Sequence, residues 1–323
     1  MSARRSRAPL ASLGAVALVL ALLPLATGGS AHYLRLLTLM LVHMAYAVAF
    51  NLIFGHTKQL FLCLGALAGA SAYVSVVLAR ELHLSPWLTM PAGILVAGAL
   101  GALFSYVSVR RGLGTIFVGI VTLAFSLIFQ NVILGLRDLT NGETGIVTRD
   151  LGASVLQRAP SSYYAFLLLL VASLVLYDAL MRSRLGVAFR ALSDDELTAE
   201  LAGIDVARCK VAAAGVGSAL VGAVGALYAY FSGLINPSVY SLVAVDIAVL
   251  ITLLLGGLGT RLGPVLGGAA FAIIEELVRP FGQLNVLVYG ALLIVLFVAF
   301  RDGLVAVPGR AAAALLALRR AGG

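Results

Sequence analysis

Charge is scarce in this sequence. Asp, Glu, Lys and Arg make up 11% of its 323 residues, against about 25% in an ordinary soluble domain. A soluble fold of this size needs far more polar surface to cover itself. That excludes a cytosolic globular enzyme and a nucleic-acid binder, in spite of a net charge of +8. Tryptophan occurs once and cysteine twice. Cys63 and Cys209 cannot build a disulfide framework; they have no metal-ligand neighbours and read as reduced bystanders. The sequence lacks G-x-x-x-x-G-K-[ST], so the chain does not itself hold ATP in that way; H-E-x-x-H, G-x-S-x-G and C-x-x-C are also missing. His32, His43, His56 and His83 are dispersed. Neither a catalytic cluster nor a metal or cofactor site is legible.

What is abundant is apolar: 61% of the residues are hydrophobic and 35 are glycine, with a mean hydropathy of +1.06. Disorder needs low hydrophobicity, and an outer-membrane barrel needs alternating rather than continuous apolar runs. The composition therefore specifies an all-α, polytopic membrane helix bundle. A bilayer core about 30 Å thick takes about 20 apolar residues per helix. Ten runs qualify, at roughly 10–27, 34–54, 60–79, 87–109, 115–136, 162–181, 211–231, 242–256, 264–279 and 285–300, the eighth and ninth being short. The link Gly256–Pro264 between those two reads either as a turn or as a re-entrant element.

With both termini cytoplasmic, 16 of the 22 Lys and Arg residues fall inside, among them Arg4, Lys58, Arg110, Arg190, Arg208, Lys210, Arg261 and Arg320. Arg35, Arg80, Arg137, Arg149, Arg158 and Arg279 fall outside. That asymmetry supports the orientation and the even span count. Residues 1–30 also fit a cleavable signal peptide, with Arg4–Arg7, a Leu/Ala core and small residues after Pro24. Cleavage near Gly28–Ala31 leaves the next segment outside in either case. Residues 31–300 then form the transmembrane body and 301–323 a cytoplasmic tail. Intramembrane carboxylates are few: Asp246 in the eighth run, and Glu275 and Glu276 near the outer end of the ninth. Small residues recur every four positions at Ala214, Ser218, Gly222 and Ala226, and at Gly93, Ala97 and Gly101. Such ridges let helix backbones approach closely and specify a compact bundle.

The longest loop between two spans, 182–210, is the most informative. Ser193-Asp194-Asp195-Glu196 has the spacing of a capping box, with acidic residues where the helix dipole favours them. Leu197 and Leu201 share one face, Glu196 and Glu200 another, and Gly203 stands where a left-handed C-cap belongs. A helix of two to three turns is too short to stand alone in water. Leu185–Leu192 reads as a second short helix. The pair either docks a soluble partner or covers the inner surface of the bundle.

The segment Arg184–Lys210 closely resembles the cytoplasmic loop of the LivM-type permeases, the membrane subunits of bacterial branched-chain amino acid ABC importers. The resemblance continues through Ala223–Ala229, Asp246–Leu250, Leu255–Gly259 and Gly263–Gly267, with upstream landmarks at Asn51–Gly55, Val121–Phe125 and Thr140–Gly145. It spans roughly residues 40–300. The resemblance implies that the loop helices couple to separate ATPase subunits that hydrolyse ATP, with Arg190, Asp195, Glu196, Glu200, Gly203, Asp205 and Arg208 forming or shaping the contact. It further implies a second, homologous permease subunit, an extracytoplasmic solute-binding protein meeting the outer loop around Arg137–Arg158, and a bacterial inner-membrane location.

Two departures bear on the solute. The family's usual G-Q-x-S-x-G-H run reads Lys58-Gln59-Leu60-Phe61-Leu62-Cys63-Leu64, and the acidic residue usual after the T-L-A-F element is Leu127. The resemblance therefore implies branched-chain amino acids or related small amides and carboxylates. Polar groups in apolar runs tend to face cavities or to bond helices together. On that ground Asn51, Gln59, Thr122, Gln130, Asn131 and Asp246 are the candidates for the translocation pathway, and a carboxylate at Asp246 calls for a cation or water. The alternative is an ion-gradient-driven secondary transporter, which requires broken helices around ionisable residues.

Overall fold

The computed structural model describes residues 8–26, 30–148 and 151–299. Gly28 and Gly29 of the candidate cleavage region, the terminal arginines and residues 301–323 lie outside them. Each of the ten apolar runs is a helical segment. In chain order these are α1 (Ala8–Ala26), α2 (Ala31–Phe50), α3 (Leu64–Glu81), α4 (Pro86–Arg110) and α5 (Thr115–Gly135). After the short α6 (Arg137–Thr140) come α7 (Ala159–Arg182), α8 (Arg184–Asp194), α9 (Glu196–Leu201) and α10 (Val206–Ser232). The described residues close with α11 (Ala248–Gly256), α12 (Gly263–Val278) and α13 (Asn285–Ala299). Five helical segments, starting at Ala31, Pro86, Thr115, Ala159 and Val206, are long and apolar enough to cross a membrane.

Helix α2 is the centre of the bundle. Every residue from Met40 to Ile53 is buried, as suits a helix that is hydrophobic all round. It packs against α7, α10, α11 and α12. Helix α10 fills the other half, against α3 and α4, and there the small-residue ridges act as expected. A Cβ on Gly101 would strike Ser218, one on Gly222 would strike Ala97, and one on Gly93 would strike the Ser71 backbone. The outer helices turn apolar side chains outward: Leu95 on α4, Ile116 and Phe117 on α5 and Leu168 on α7 are exposed. One pair of strands, not expected from the sequence, ties the loop after α6 to the end of α10: Ile146 pairs with Ile235 and Val147 with Leu234, antiparallel.

Two helices are broken. Helix α2 passes into a π-helical turn at Asn51–Gly55, and the chain then runs without regular structure to Cys63. Gln59 bonds to the carbonyl of Lys210 near the start of α10, whereas Ala68 packs on Gly225 near its end. Residues 59–68 therefore climb about 22 Å along α10, at 1.5 Å per residue of that helix. The third apolar run thus opens on irregular chain, residues 60–63, before it becomes α3. The eighth begins as a π-helical stretch, Leu242–Ile247, before it becomes α11. The link 257–262 is a turn between α11 and α12, which pack on each other as a hairpin.

Candidate functional site

Irregular backbone inside a bundle needs partners for its amides and carbonyls, and the polar residues of the apolar runs supply them. Thr122 Oγ1 accepts the Leu62 amide at 3.0 Å. Gln59 donates to Thr57 Oγ1 at 2.8 Å and to the Lys210 carbonyl at 3.1 Å, and accepts from Ser105 at 2.7 Å. Asp246, 1% exposed, accepts the amides of Leu64 at 2.5 Å and Gly65 at 3.3 Å. Helix α3 has Cys63 at its N-cap with no side-chain bond, so Asp246 caps it from another helix. A carboxylate at the positive end of a helix dipole is a charge-assisted arrangement. Asp246 thus meets backbone amides where the sequence had called for a cation or water.

Asn51 does the same for the second irregular segment. Its Oδ1 accepts the Gly259 amide at 2.8 Å and its Nδ2 donates to the Thr260 carbonyl at 2.9 Å, pinning the α11–α12 turn. Asn51, Gln59, Thr122 and Asp246 are all buried, and none of them lines the cavity between α2 and α12. Gln130 lines a separate pocket of about 420 Å³ with Glu143, Asn236 and Ser238. The Asn131 amide turns back onto the Leu127 carbonyl at 2.8 Å on an exposed face.

That cavity, about 400 Å³, lies between α2, α10, the 237–249 stretch, α12 and α13. Its polar lining is His43, Tyr46, Tyr228, Tyr240, Glu275 and Tyr289. His43 Nδ1 sits 3.0 Å from the Leu39 carbonyl and 4.0 Å from Glu275 Oε2. The His43 ring packs 5.0 Å from Phe271, which is 5.8 Å from Tyr289. Of these residues the sequence had singled out Glu275; His43 was noted only as dispersed. The signal available for His43 and Tyr46 was their i, i+3 spacing, which puts both on one face of an otherwise apolar helix.

The 182–210 loop folds as two short helices and the first turn of α10. The cap of α9 is Asp195, which accepts the amides of Leu197 and Thr198 at 3.3 and 3.2 Å. The expected cap, Ser193, belongs to α8, which runs on through Asp194 and displaces the capping position by two residues. The Thr198 hydroxyl and then its amide hold the Asp195 carboxyl below its ordinary range. Gly203 takes φ +83°. The Ile204 amide bonds to the Ala199 carbonyl and that of Gly203 to Glu200, the paired bonds of a Schellman motif. Glu196 binds Lys210 at 2.6 Å instead of closing a capping box. Asp205 caps α10 through the Arg208 amide at 3.0 Å and pairs with its guanidinium at 2.9 Å. The α10 helix therefore starts five residues before the apolar run that announced it.

Loop and hairpin are joined by a chain of contacts. Phe189 of α8 stacks on His56 with ring centroids 6.3 Å apart. His56 Nε2 lies 2.7 Å from the Tyr177 hydroxyl, which accepts from Asn51 Nδ2 at 3.4 Å. Burial, reinforced by the Arg190 guanidinium, pushes His56 down to about 4, so a neutral imidazole accepts the Tyr177 proton. Arg190 donates to the Met181 carbonyl at 3.1 Å. Arg261 of the turn lies 3.1 Å from Asp178, which also holds Arg182. Phe189, Leu192 and Ala199 face the bundle, whereas Leu197 and Leu201 are 65% and 82% exposed. The apolar pair of α9 thus points outward, away from the bundle surface.

The family model described as branched-chain amino acid transport system, permease component, matches residues 32–299. The high-affinity branched-chain amino acid permease protein LivM of Escherichia coli K12 is 28% identical over 294 residues, covering 83% of this chain and 68% of that protein. The LivM protein of Salmonella typhimurium is 27% identical over the same span and shares. A probable LivH permease protein of Methanocaldococcus jannaschii is 25% identical over 240 residues, 70% of this chain and 75% of the relative. No solved structure matches. With most of its length under one family model, the chain belongs to the permease components of branched-chain amino acid transport systems.

Proposed function

We propose that this chain is the multi-pass permease subunit of an ATP-driven importer in a bacterial inner membrane, carrying branched-chain amino acids or related small amides or carboxylates. As a member of a transport permease family it is not an enzyme; ATP is hydrolysed by separate ATPase subunits. A second, homologous permease subunit and an extracytoplasmic solute-binding protein complete the assembly. The chain crosses the membrane ten times with both termini cytoplasmic, residues 31–300 forming the permease body.

The observation that carries this reading is the outward apolar face of α9. A short helix held in place by Asp195, Gly203 and the Glu196–Lys210 pair, with Leu197 and Leu201 exposed beside Glu200 and Arg208, is built to enter a groove on another protein. Arg190 and Asp205 fix the flanking helices. The solute passes through the bundle beside the irregular segments that Asn51, Gln59, Thr122 and Asp246 anchor, with Gln130, which lines the pocket beside Glu143 and Asn236, and Asn131 next to it on α5 also along the route.

The test is a mild-detergent pull-down of the tagged chain, comparing wild type with Leu197→Asp and Leu201→Asp. Wild type is expected to bring down an ATPase subunit and a second permease. Both variants are expected to lose the ATPase while inserting normally and retaining the second permease. ATPase recovered equally with both variants would refute docking through α9.

A further inference from the structure

Behind the 182–210 loop lies a pocket whose cations lack counter-charges. It encloses about 430 Å³ between the stretch after the π-helical turn of α2, the end of α8 and the α11–α12 turn. Its polar side chains are His56, Lys58, Arg190, Ser193 and Asp194. We propose that this pocket binds a phosphate group, of a free anion or of a lipid head group, held between Lys58 and Arg190. The site stands apart from the solute's route and does not depend on which solute the chain carries.

Lys58 is the costly member. It takes φ +54°, a left-handed conformation in which a long side chain is unusual. It opens the run Lys58–Leu64, where the resembled family usually has glycine. This chain accepts backbone strain at position 58 and gains an ammonium group at the pocket. Four cations of the same end of the bundle are paired: Lys210 with Glu196, Arg208 with Asp205, and Arg182 and Arg261 with Asp178. Lys58 and Arg190 form no ion pair among the described residues. Lys58 is only the least of the influences on the Asp195 carboxylate. Arg190 gives one N–H to the Met181 carbonyl and has four others.

His56 adds a third donor. A neutral ring that accepts the Tyr177 proton at Nε2 carries its own proton on Nδ1. That N–H has no partner among the described residues, although His56 is 5% exposed and lines the pocket. Buried donors are almost always paired, so this one awaits an acceptor that the pocket admits. An ammonium, a guanidinium, an imidazole N–H and the Ser193 hydroxyl thus face one space. A phosphate brings at least three acceptor oxygens and about two negative charges, and Arg and Lys are its usual partners. A carboxylate has a single charge and matches one of the two cations. Asp194 lines the same pocket and opposes any anion there, so its removal should tighten the site.

The test is thermal melting of the purified full chain in detergent, with sodium phosphate titrated against sodium chloride and sodium acetate at equal ionic strength. Phosphate is expected to raise the melting temperature saturably, beyond either control. Lys58→Gly relieves the strained backbone, so it is expected to melt no lower than wild type without phosphate, yet to lose the phosphate gain. Arg190→Gln is expected to raise the half-saturating phosphate concentration about tenfold or more, the value of one charge-assisted bond. Asp194→Asn is expected to lower it about twofold to fivefold, as one exposed charge pair allows. A parallel arm compares phosphatidylcholine nanodiscs with and without phosphatidylglycerol in phosphate-free buffer. A gain confined to the phosphatidylglycerol discs, and lost in Lys58→Gly, would identify the group as a lipid head group; a gain with inorganic phosphate in detergent would identify a free anion. Acetate acting as strongly as phosphate, the gain surviving in both Lys58→Gly and Arg190→Gln, or no gain from either source would each overturn the proposal. Melting needs neither ATP nor a partner subunit, so the result is independent of whether the chain transports at all.

Discussion

The carboxylate of Asp246 closes the N-terminus of a helix to which it does not belong, with Oδ1 2.5 Å from the Leu64 amide nitrogen. One buried residue thereby joins the π-helical start of the eighth run to the break in the third. Removing it strands two amides at a buried helix end. Asp246→Ala is expected to destabilise the chain by about 2 kcal/mol, the cost of leaving such donors unpaired. Asp246→Asn keeps an acceptor and is expected to cost less. Thermal melts followed by size-exclusion chromatography in detergent check the order of the two variants.

Asn51 holds both a donor and an acceptor of the α11–α12 turn. Asn51→Leu is expected to cost about 2 kcal/mol by leaving the Gly259 amide and the Thr260 carbonyl unpaired. Because the same side chain touches Tyr177 and, through it, His56 and α8, the variant is also expected to lower uptake more than ATP hydrolysis. Measuring both rates in the reconstituted transporter checks this; an equal fall in the two would mean that Asn51 serves the fold alone.

Gly203 has φ +83° and open space where a Cβ would be, so only backbone strain opposes a side chain there. Gly203→Asn is expected to be tolerated and Gly203→Ala to cost about 1 kcal/mol, the left-handed penalty. Gly203→Pro, and Glu196→Arg facing Lys210, are expected to abolish uptake with membrane insertion intact. Uptake and membrane levels of the four variants decide the matter.

His56 gives stability a pH dependence of definite sign. Its folded value of about 4 lies below the ordinary 6.5, so the unfolded chain takes up the proton first. Its contribution is fully present above about 6.5 and is lost as pH falls towards 4. His56→Phe keeps the stacking on Phe189 and removes the proton site. Melting curves of the variant are expected to be lower at neutral pH and flatter than wild type between those two values.

The helices were legible because long apolar runs leave the chain little alternative, and each of the ten runs is a helical segment. The left-handed cap at Gly203 was legible too, since it depends on local conformation alone. The α9 cap was missed by two residues because Ser193 and Asp195 are both good caps, and only the extent of α8 decides between them. Polar residues in apolar runs signalled that something was there without saying what. Gln59, Thr122 and Asp246 anchor an irregular segment whose existence no run-length argument reveals. The cavity was least legible, because it is built where positions 43, 46, 228, 240, 275 and 289 converge from distant parts of the chain.

The most direct measurement is leucine uptake by the reconstituted transporter, with the energy source controlled: ATP without an ion gradient, and an ion gradient without ATP. Uptake that requires ATP and persists when the gradient is collapsed is the expected result. Uptake driven by the gradient alone, with ATP absent, would contradict it and make the chain a secondary transporter.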